Sequence, residues 1–405
     1  MTRSRTRAFA FWTFALQLWT VGALAVSNVF MGLSAVAALF VRFSRERRDR
    51  TPARAPLMPA RLALPLGAFV LVFLASTAFS YEPRTSLGRI GELLSLLPLL
   101  LTLAVVERES QARVVVRGLM VMGALLAAFG LLQIAAGGAG VELSRRMAGP
   151  FSHYQTFAGV ILLCGAFAFA RLACGGSDSG WIAAAIAGTA LPAIALSLNL
   201  TRGSWVALAG MVVFVLAMRR PRQLLWVAPA AIVLVLVLPP AVRDRAVSIF
   251  DLRDESNYDR LCMLDAGLRM VSERPLLGLG PGVVETRYPL YRHPTAPRDH
   301  RPHLHDSYLQ LAAEYGVLAL VAYAAILIAS FGQTLRNYRR EGGASGPRAD
   351  LHLGVAAALV AYTLAAFFED NWADTEVQKI ALFVIALPFC LDSLSGSAWP
   401  NSSSS

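Results

Sequence analysis

Two imidazoles and a carboxylate, His303, His305 and Asp306, stand in "RPHLHDSYLQLAAEYG" (301–316), directly ahead of a long apolar run. Three kinds of chemistry fit them. The histidines and Asp306, with Glu314 further off, could hold a divalent cation. A bare His-x-His, however, lacks the HExxH pattern or a second ligand cluster. Asp306 could instead cap a helix while the histidines hydrogen-bond locally. Or one histidine is a base: a neutral imidazole, with an ordinary pKa of about 6.5, accepts a proton at neutral pH. Base catalysis by one of these histidines is the favoured reading.

A base needs something to act beside. Arg145 and Arg146 in "VELSRRMAGPFSHYQ" and Arg202 in "LNLTRGSWVALAG" lie in short loops where positive charge is disfavoured. They either snorkel to lipid headgroups or converge on an anion, and a guanidinium offers a planar fork of donors matched to phosphate oxygens. Arg202 is the best placed, because Gly203 beside it permits close approach and a helix begins there. "RPLLGLGPG" (274–282) is no dinucleotide fingerprint: no strand precedes it and Pro281 interrupts it. It reads as a turn ending a helix. The carboxylates Glu369, Asp370, Asp374 and Glu376 of "FFEDNWADTEVQK" (367–379) read as a solvated loop, outside the site.

The elements that must position these groups are membrane helices. The 405 residues are 56% hydrophobic and 16% charged, with mean hydropathy +0.54, against about a quarter charged in soluble domains. A hydrocarbon core of about 30 Å takes about 20 apolar residues per helix. The sequence offers about twelve spans, roughly 8–21, 22–42, 62–80, 90–106, 114–136, 154–174, 181–199, 203–218, 224–240, 305–332, 351–368 and 376–394. The N-terminal "MTRSRTRAFAFW" reads as a retained first helix, not a cleaved signal. Net charge +11 could suggest nucleic acid, but the arginines (all basic residues except Lys379) mostly sit in loops between spans. Nucleic acid is therefore rejected. Cys164, Cys174, Cys262 and Cys390 are too scattered for a disulfide framework or a metal knuckle.

With twelve spans, the arginine-rich loops at 3–7, 42–61, 108–113, 219–222 and 336–348 all fall on one side, which places both termini in the cytoplasm. The other side carries one long loop with ten Arg against nine Asp/Glu. Domain organisation follows: 1–240 with nine spans, 241–304 as an external loop domain, 305–395 with three spans, and 396–405 as a disordered tail. Within the loop, Leu261, Leu264, Leu268 and Val271 recur at helical spacing over 257–275, predicting an amphipathic helix on the membrane or over a cavity. The expected fold class is an all-α polytopic membrane protein with one large loop on the outer side. No internal repeat is evident.

"HDSYLQLAAEYGVLA" resembles the signature of the O-antigen ligase and polymerase superfamily: His305, nine residues (307–315), then Gly316. Asp306 replaces the usual amide or hydroxyl residue, and Ala319 the usual final Gly, Thr or Tyr. "TRGSW" (201–205) is similar to the family's Arg-Gly-x-Trp segment. "DRLCMLDAGLRMVSERPLLGLGPG" (259–282) is similar to its Arg-led helix and Pro-Leu-Leu-Gly-x-Gly turn, with Arg260 as the arginine. The resemblance implies a GT-C-like glycosyltransferase of the bacterial inner membrane, acting at the periplasmic face. The donor would be a glycan on undecaprenyl pyrophosphate and, for a ligase, the acceptor a sugar hydroxyl of lipid A–core. His305 would be the base, Arg202 and Arg260, with Arg145 or Arg146, would hold the pyrophosphate, and His303 and His153 would be neighbouring or substrate contacts, with no metal or cofactor required. A monomer among membrane lipids suffices. Rival readings are a polymerase extending lipid-linked glycan, a protein O-glycosylating transferase, or a transporter. Charge gathered at one face and not along span centres argues against transport.

Overall fold

The computed structural model describes residues 3–46, 58–137, 140–175, 179–237 and 239–396. The expected tail beyond Gly396 and the loop arginines Arg47, Arg48, Arg50 and Arg54 lie outside them. The described residues are helical, without a strand. The chain is thus an all-α polytopic membrane protein, as its composition predicts.

The first half forms α1 (Arg3–Trp19), α2 (Leu24–Glu46), α3 (Ala60–Ala78), the short α4 (Pro83–Gly88), α5 (Leu97–Val105), α6 (Glu109–Ala135), α7 (Tyr154–Cys174) and α8 (Ser179–Leu198). Then come α9 (Arg202–Arg219), α10 (Val227–Val237), α11 (Pro240–Val247), α12 (Glu255–Glu273), α13 (Val283–Tyr291), α14 (Ser307–Arg340), α15 (Ala349–Ala365) and α16 (Thr375–Gly396). Nine segments among the described residues are long and apolar enough to cross a membrane. The other three of the twelve expected spans are helical but short. α1 has 17 residues, as does α15, and α10 has 11. α10 continues a 3-10 segment, Pro221–Trp226, and together they reach about 28 Å at the usual rises.

Lipid supplies no hydrophobic drive between helices, so close packing must hold them. α7 packs closely on three neighbours through small residues: a Cβ on Gly354 of α15 would meet Phe167 at 2.6 Å, Gly159 makes room for Val377 of α16, and Ala168 lies against Gly188 of α8. At the arginine-rich end, Asp350 at the start of α15 accepts Arg113 of α6 at 3.1 Å and Arg171 of α7 at 3.2 Å, fastening three helices.

The amphipathic helix exists as α12, but its predicted apolar stripe does not face the protein. Leu261, Leu264 and Leu268 are exposed, while Cys262, Met263, Ala266, Gly267 and Met270 are buried. The smaller side is inward because α12 lies close on α14: a Cβ on Gly267 would meet Leu309 Cδ2 at 2.5 Å. Buried Arg301 pairs with Asp259 of α12, tying down the segment that leads to His305.

α14 is broken at Gly316, whose backbone is left-handed at φ 83°. The turn after α12 fills the gap. Val317 N donates to Pro275 O at 2.7 Å, Leu279 N to Ala313 O at 2.8 Å and Gly280 N to Glu314 O at 2.9 Å. The Pro-Leu-Leu-Gly-x-Gly turn is therefore a main-chain plug that satisfies backbone groups the interrupted helix cannot.

Candidate active site

The N-terminal ends of α7, α9, α14 and α16 border two adjoining cavities, through Gln155, Arg202, Gln310 and Thr375. Their caps come from the sequence. His153 Nδ1 accepts from Gln155 N at 3.3 Å at the start of α7. Asp306 accepts from the Tyr308 and Leu309 amides, so the capping role considered for it is real. Asp374 accepts Thr156 Oγ1 at 2.6 Å and the Val377 amide at 3.3 Å.

His305 itself is bent into a left-handed conformation, φ 52°. Its Nδ1 lies 3.0 and 3.1 Å from the two carboxylate oxygens of Glu369. The loop of Glu369 is not solvated as its composition suggested: Asp370 and Asn371 are buried and the Glu369 side chain is 14% exposed. It is sewn to the start of α14, since Ser307 N donates to Ala366 O at 2.8 Å and Ser307 Oγ to Glu369 O at 2.9 Å. Burial opposes ionisation of Glu369, but the His305 hydrogen bond and nearby positive groups prevail and hold it below the usual carboxylate range. An ionised Glu369 makes Nδ1 of His305 the donor, and Nε2 is then the nitrogen that can take a proton.

His303 stacks edge-on to His305 at 4.2 Å between ring centres, and its Nδ1 accepts the His305 amide at 3.4 Å. Burial, then neighbouring His305, pushes His303 down to about 4, so it is neutral. His153 is also pushed down, mainly by burial. His303, His305 and Glu369 could close around a divalent cation, with candidate ligand atoms within 4.8 Å of one another. Asp306 and Glu314, the other ligands considered for such an ion, are engaged elsewhere: Asp306 caps α14, and Glu314 accepts the Gly282 amide and Gln310 Nε2, each at 3.0 Å.

Beside Glu369 is a cavity of about 170 Å³ walled by Arg146, Arg202, Arg245 and Arg260. Arg202 begins α9; its Nη1 donates to Ser248 O at 3.0 Å and its Nη2 to Asp254 at 3.2 Å. Arg245 reaches the other oxygen of Asp254 at 3.5 Å. Arg260 donates to Phe368 O at 2.6 Å, and Arg146 lies over the Tyr154 ring at 4.3 Å with its buried Nε unpartnered. Four guanidiniums meet two carboxylates, Asp254 and Glu369, which leaves two positive charges uncompensated among these groups. Burial first, and then Arg202 and Arg146, lowers Arg245 to about 10. Arg146 and Arg260 are lowered for the same primary reason. An anion entering here would relieve that repulsion.

The structure thus brings Arg146, Arg202 and Arg260 into one wall, with His305 one carboxylate away. Arg145 points elsewhere: it is exposed and donates to Gly137 O at 2.6 Å. His303 and His153 line a second and larger chamber of about 880 Å³, and Gln155 and Glu369 belong to both walls. Gly203 is small for the sake of the protein, since a Cβ there would meet Phe368 Cβ at 2.4 Å. Sequence reasoning missed Arg245, one of ten arginines in a mixed loop, and left Glu369 out.

Residues 187–324 match the family model described as O-antigen ligase, a stretch holding "TRGSW", Arg260, the plug turn, His305 and Gly316. A search of curated proteins finds no match. Over this segment, about a third of its length, the chain is similar to the O-antigen ligase family.

Proposed function

We propose that the protein is an O-antigen ligase of the bacterial inner membrane, multi-pass with both termini cytoplasmic, transferring glycan at the periplasmic face. One observation carries the reading: four arginines from α9, α11, α12 and the loop before α7 wall a single cavity whose edge is Glu369, the partner of His305. The donor is a glycan on undecaprenyl pyrophosphate and the acceptor a sugar hydroxyl of lipid A–core. His305 Nε2 takes the proton from that hydroxyl as its oxygen bonds to the donor's anomeric carbon. The bond from that carbon to the pyrophosphate oxygen breaks, and the lipid pyrophosphate leaves with an extra negative charge. Arg146, Arg202, Arg245 and Arg260 stabilise it, and Glu369 keeps the imidazole oriented and stabilises its protonated form. Arg145 has no part in this.

The test is transfer from a short-chain polyprenyl-pyrophosphate glycan in purified protein. His305→Ala should lower turnover by about 10²–10⁴-fold with donor binding kept, and Arg202→Ala should weaken donor binding. Activity lost in EDTA and restored by a divalent metal would overturn the metal-free version and favour an ion on His303, His305 and Glu369. Complementation separates the ligase from a polymerase using the same donor: a ligase restores long-chain lipopolysaccharide in a ligase-null strain, and a polymerase does not.

A further inference from the structure

The 880 Å³ chamber on the other side of Glu369 falls within the range of small-molecule sites, about 300–1,000 Å³. Its charge is opposite to that of the arginine cavity. Six carboxylates line it, Glu92, Glu285, Glu314, Glu369, Asp370 and Asp374, against two permanent cations, Arg89 and Lys379. The cations stand with other partners. Arg89 is 3.4 Å from Glu92 and 3.5 Å from Glu285, and Lys379 Nζ donates to Ser27 at 2.8 Å and Asn28 at 2.6 Å. The two histidines in the wall, His153 and His303, are held neutral by burial. Asp370 and Asp374 therefore have no Arg or Lys ion pair among the described residues.

Aromatic rings complete the wall. Trp372 packs edge-on against Phe69 at 5.4 Å between ring centres and borders the chamber with Phe73 and Tyr315. A pyranose presents an apolar C–H face to such a ring, and its hydroxyls donate to carboxylates and exchange bonds with amides such as Gln310 and Gln378. A phosphate or a uronate in the same place would meet carboxyl groups with no basic side chain beside them, and each added negative charge would oppose their ionisation.

Resting on the ligase reading, we infer that this chamber receives the acceptor glycan. Asp370 and Asp374 make it select a neutral or amine-bearing sugar at the reacting end, against an anionic one.

The experiment titrates full-length protein in detergent with methyl glucoside, methyl glucosaminide and methyl glucuronide at one pH. Binding is read as a change in tryptophan fluorescence that Trp372→Phe removes. The neutral and amino glycosides should bind with the glucuronide at least tenfold weaker, and Asp370→Asn with Asp374→Asn should bring the glucuronide to within about threefold. Glucuronide binding as tight as the glucoside in the unaltered protein overturns the inference, as does a lack of saturable binding by any glycoside. Farnesyl pyrophosphate, titrated in parallel, reports the arginine cavity and confirms that the Asn variants fold. Its failure to bind the unaltered protein would sink the donor assignment alone, and the glycoside series would still decide the acceptor chamber.

Discussion

His305 holds a left-handed backbone conformation that glycine, having no Cβ, adopts without clash, and such strain runs at about 1–3 kcal/mol in a non-glycine residue. The surroundings fix it there: Asp306 caps the helix that follows, and Glu369 grips the ring. His305→Gly and His305→Ala both lose the Glu369 hydrogen bond and turnover, but His305→Gly should unfold at the higher temperature of the two, so thermal denaturation and transfer assays on the pair separate strain from chemistry. Asp370 gives a pH prediction. Its folded value of about 7 exceeds the ordinary 3.8, so the folded chain keeps a proton that the unfolded chain gives up between about pH 4 and 7. Its contribution to stability falls as pH rises through that window. Asp370→Asn should raise the thermal midpoint more at pH 8 than at pH 5. Among the arginines, Arg245→Ala should weaken polyprenyl pyrophosphate binding about tenfold or more, and Arg145→Ala by less than twofold, read by titration. His305, Arg202 and Arg260 were legible because each sits in a short motif. Glu369 was not, because a carboxylate in a polar loop has the same composition whether it is bathed in water or folded under a helix.

At the scale of elements, the break in α14 explains two motifs at once. A Cβ on Gly316 would lie 2.1 Å from Leu276 O, and one on Gly278 would lie 2.4 Å from Glu314 C, backbone against backbone in both cases. Neither atom is the end of a flexible side chain. Gly316→Ala should destabilise by at least about 3 kcal/mol, seen as a lowered unfolding midpoint in detergent along with lost activity. From the sequence, the glycines of 278–282 announced a turn and Gly316 part of a signature. Their contact across some 35 residues had no local trace. α12 was legible as an amphipathic helix, but spacing locates a stripe of leucines without saying what lies against either face, and the close approach to α14 demanded small residues.

For the molecule as a whole, hydropathy gave the order of the spans because a helix in lipid must satisfy its backbone internally. It gave their lengths less well. α15, wrapped by α7, α9, α14 and α16, is not bound to match the bilayer thickness, and the stretch before α5 winds as a 3-10 segment where it borders the large chamber. The proposed orientation is testable by labelling with a membrane-impermeant thiol reagent. Ser272→Cys should react in intact spheroplasts, and Arg222→Cys only after lysis; the reverse pattern would invert the protein. The plug at Gly316 has a consequence for biogenesis. The carbonyls of Ala313 and Glu314 bond to amides of a turn some 35 residues earlier in the chain. The opening nine residues of α14 therefore cannot be completed as an autonomous insertion unit. Maturation of that segment and assembly of the reaction centre become one event, so a nascent chain stalled before it should be both idle and open to quality-control proteolysis at the same spot.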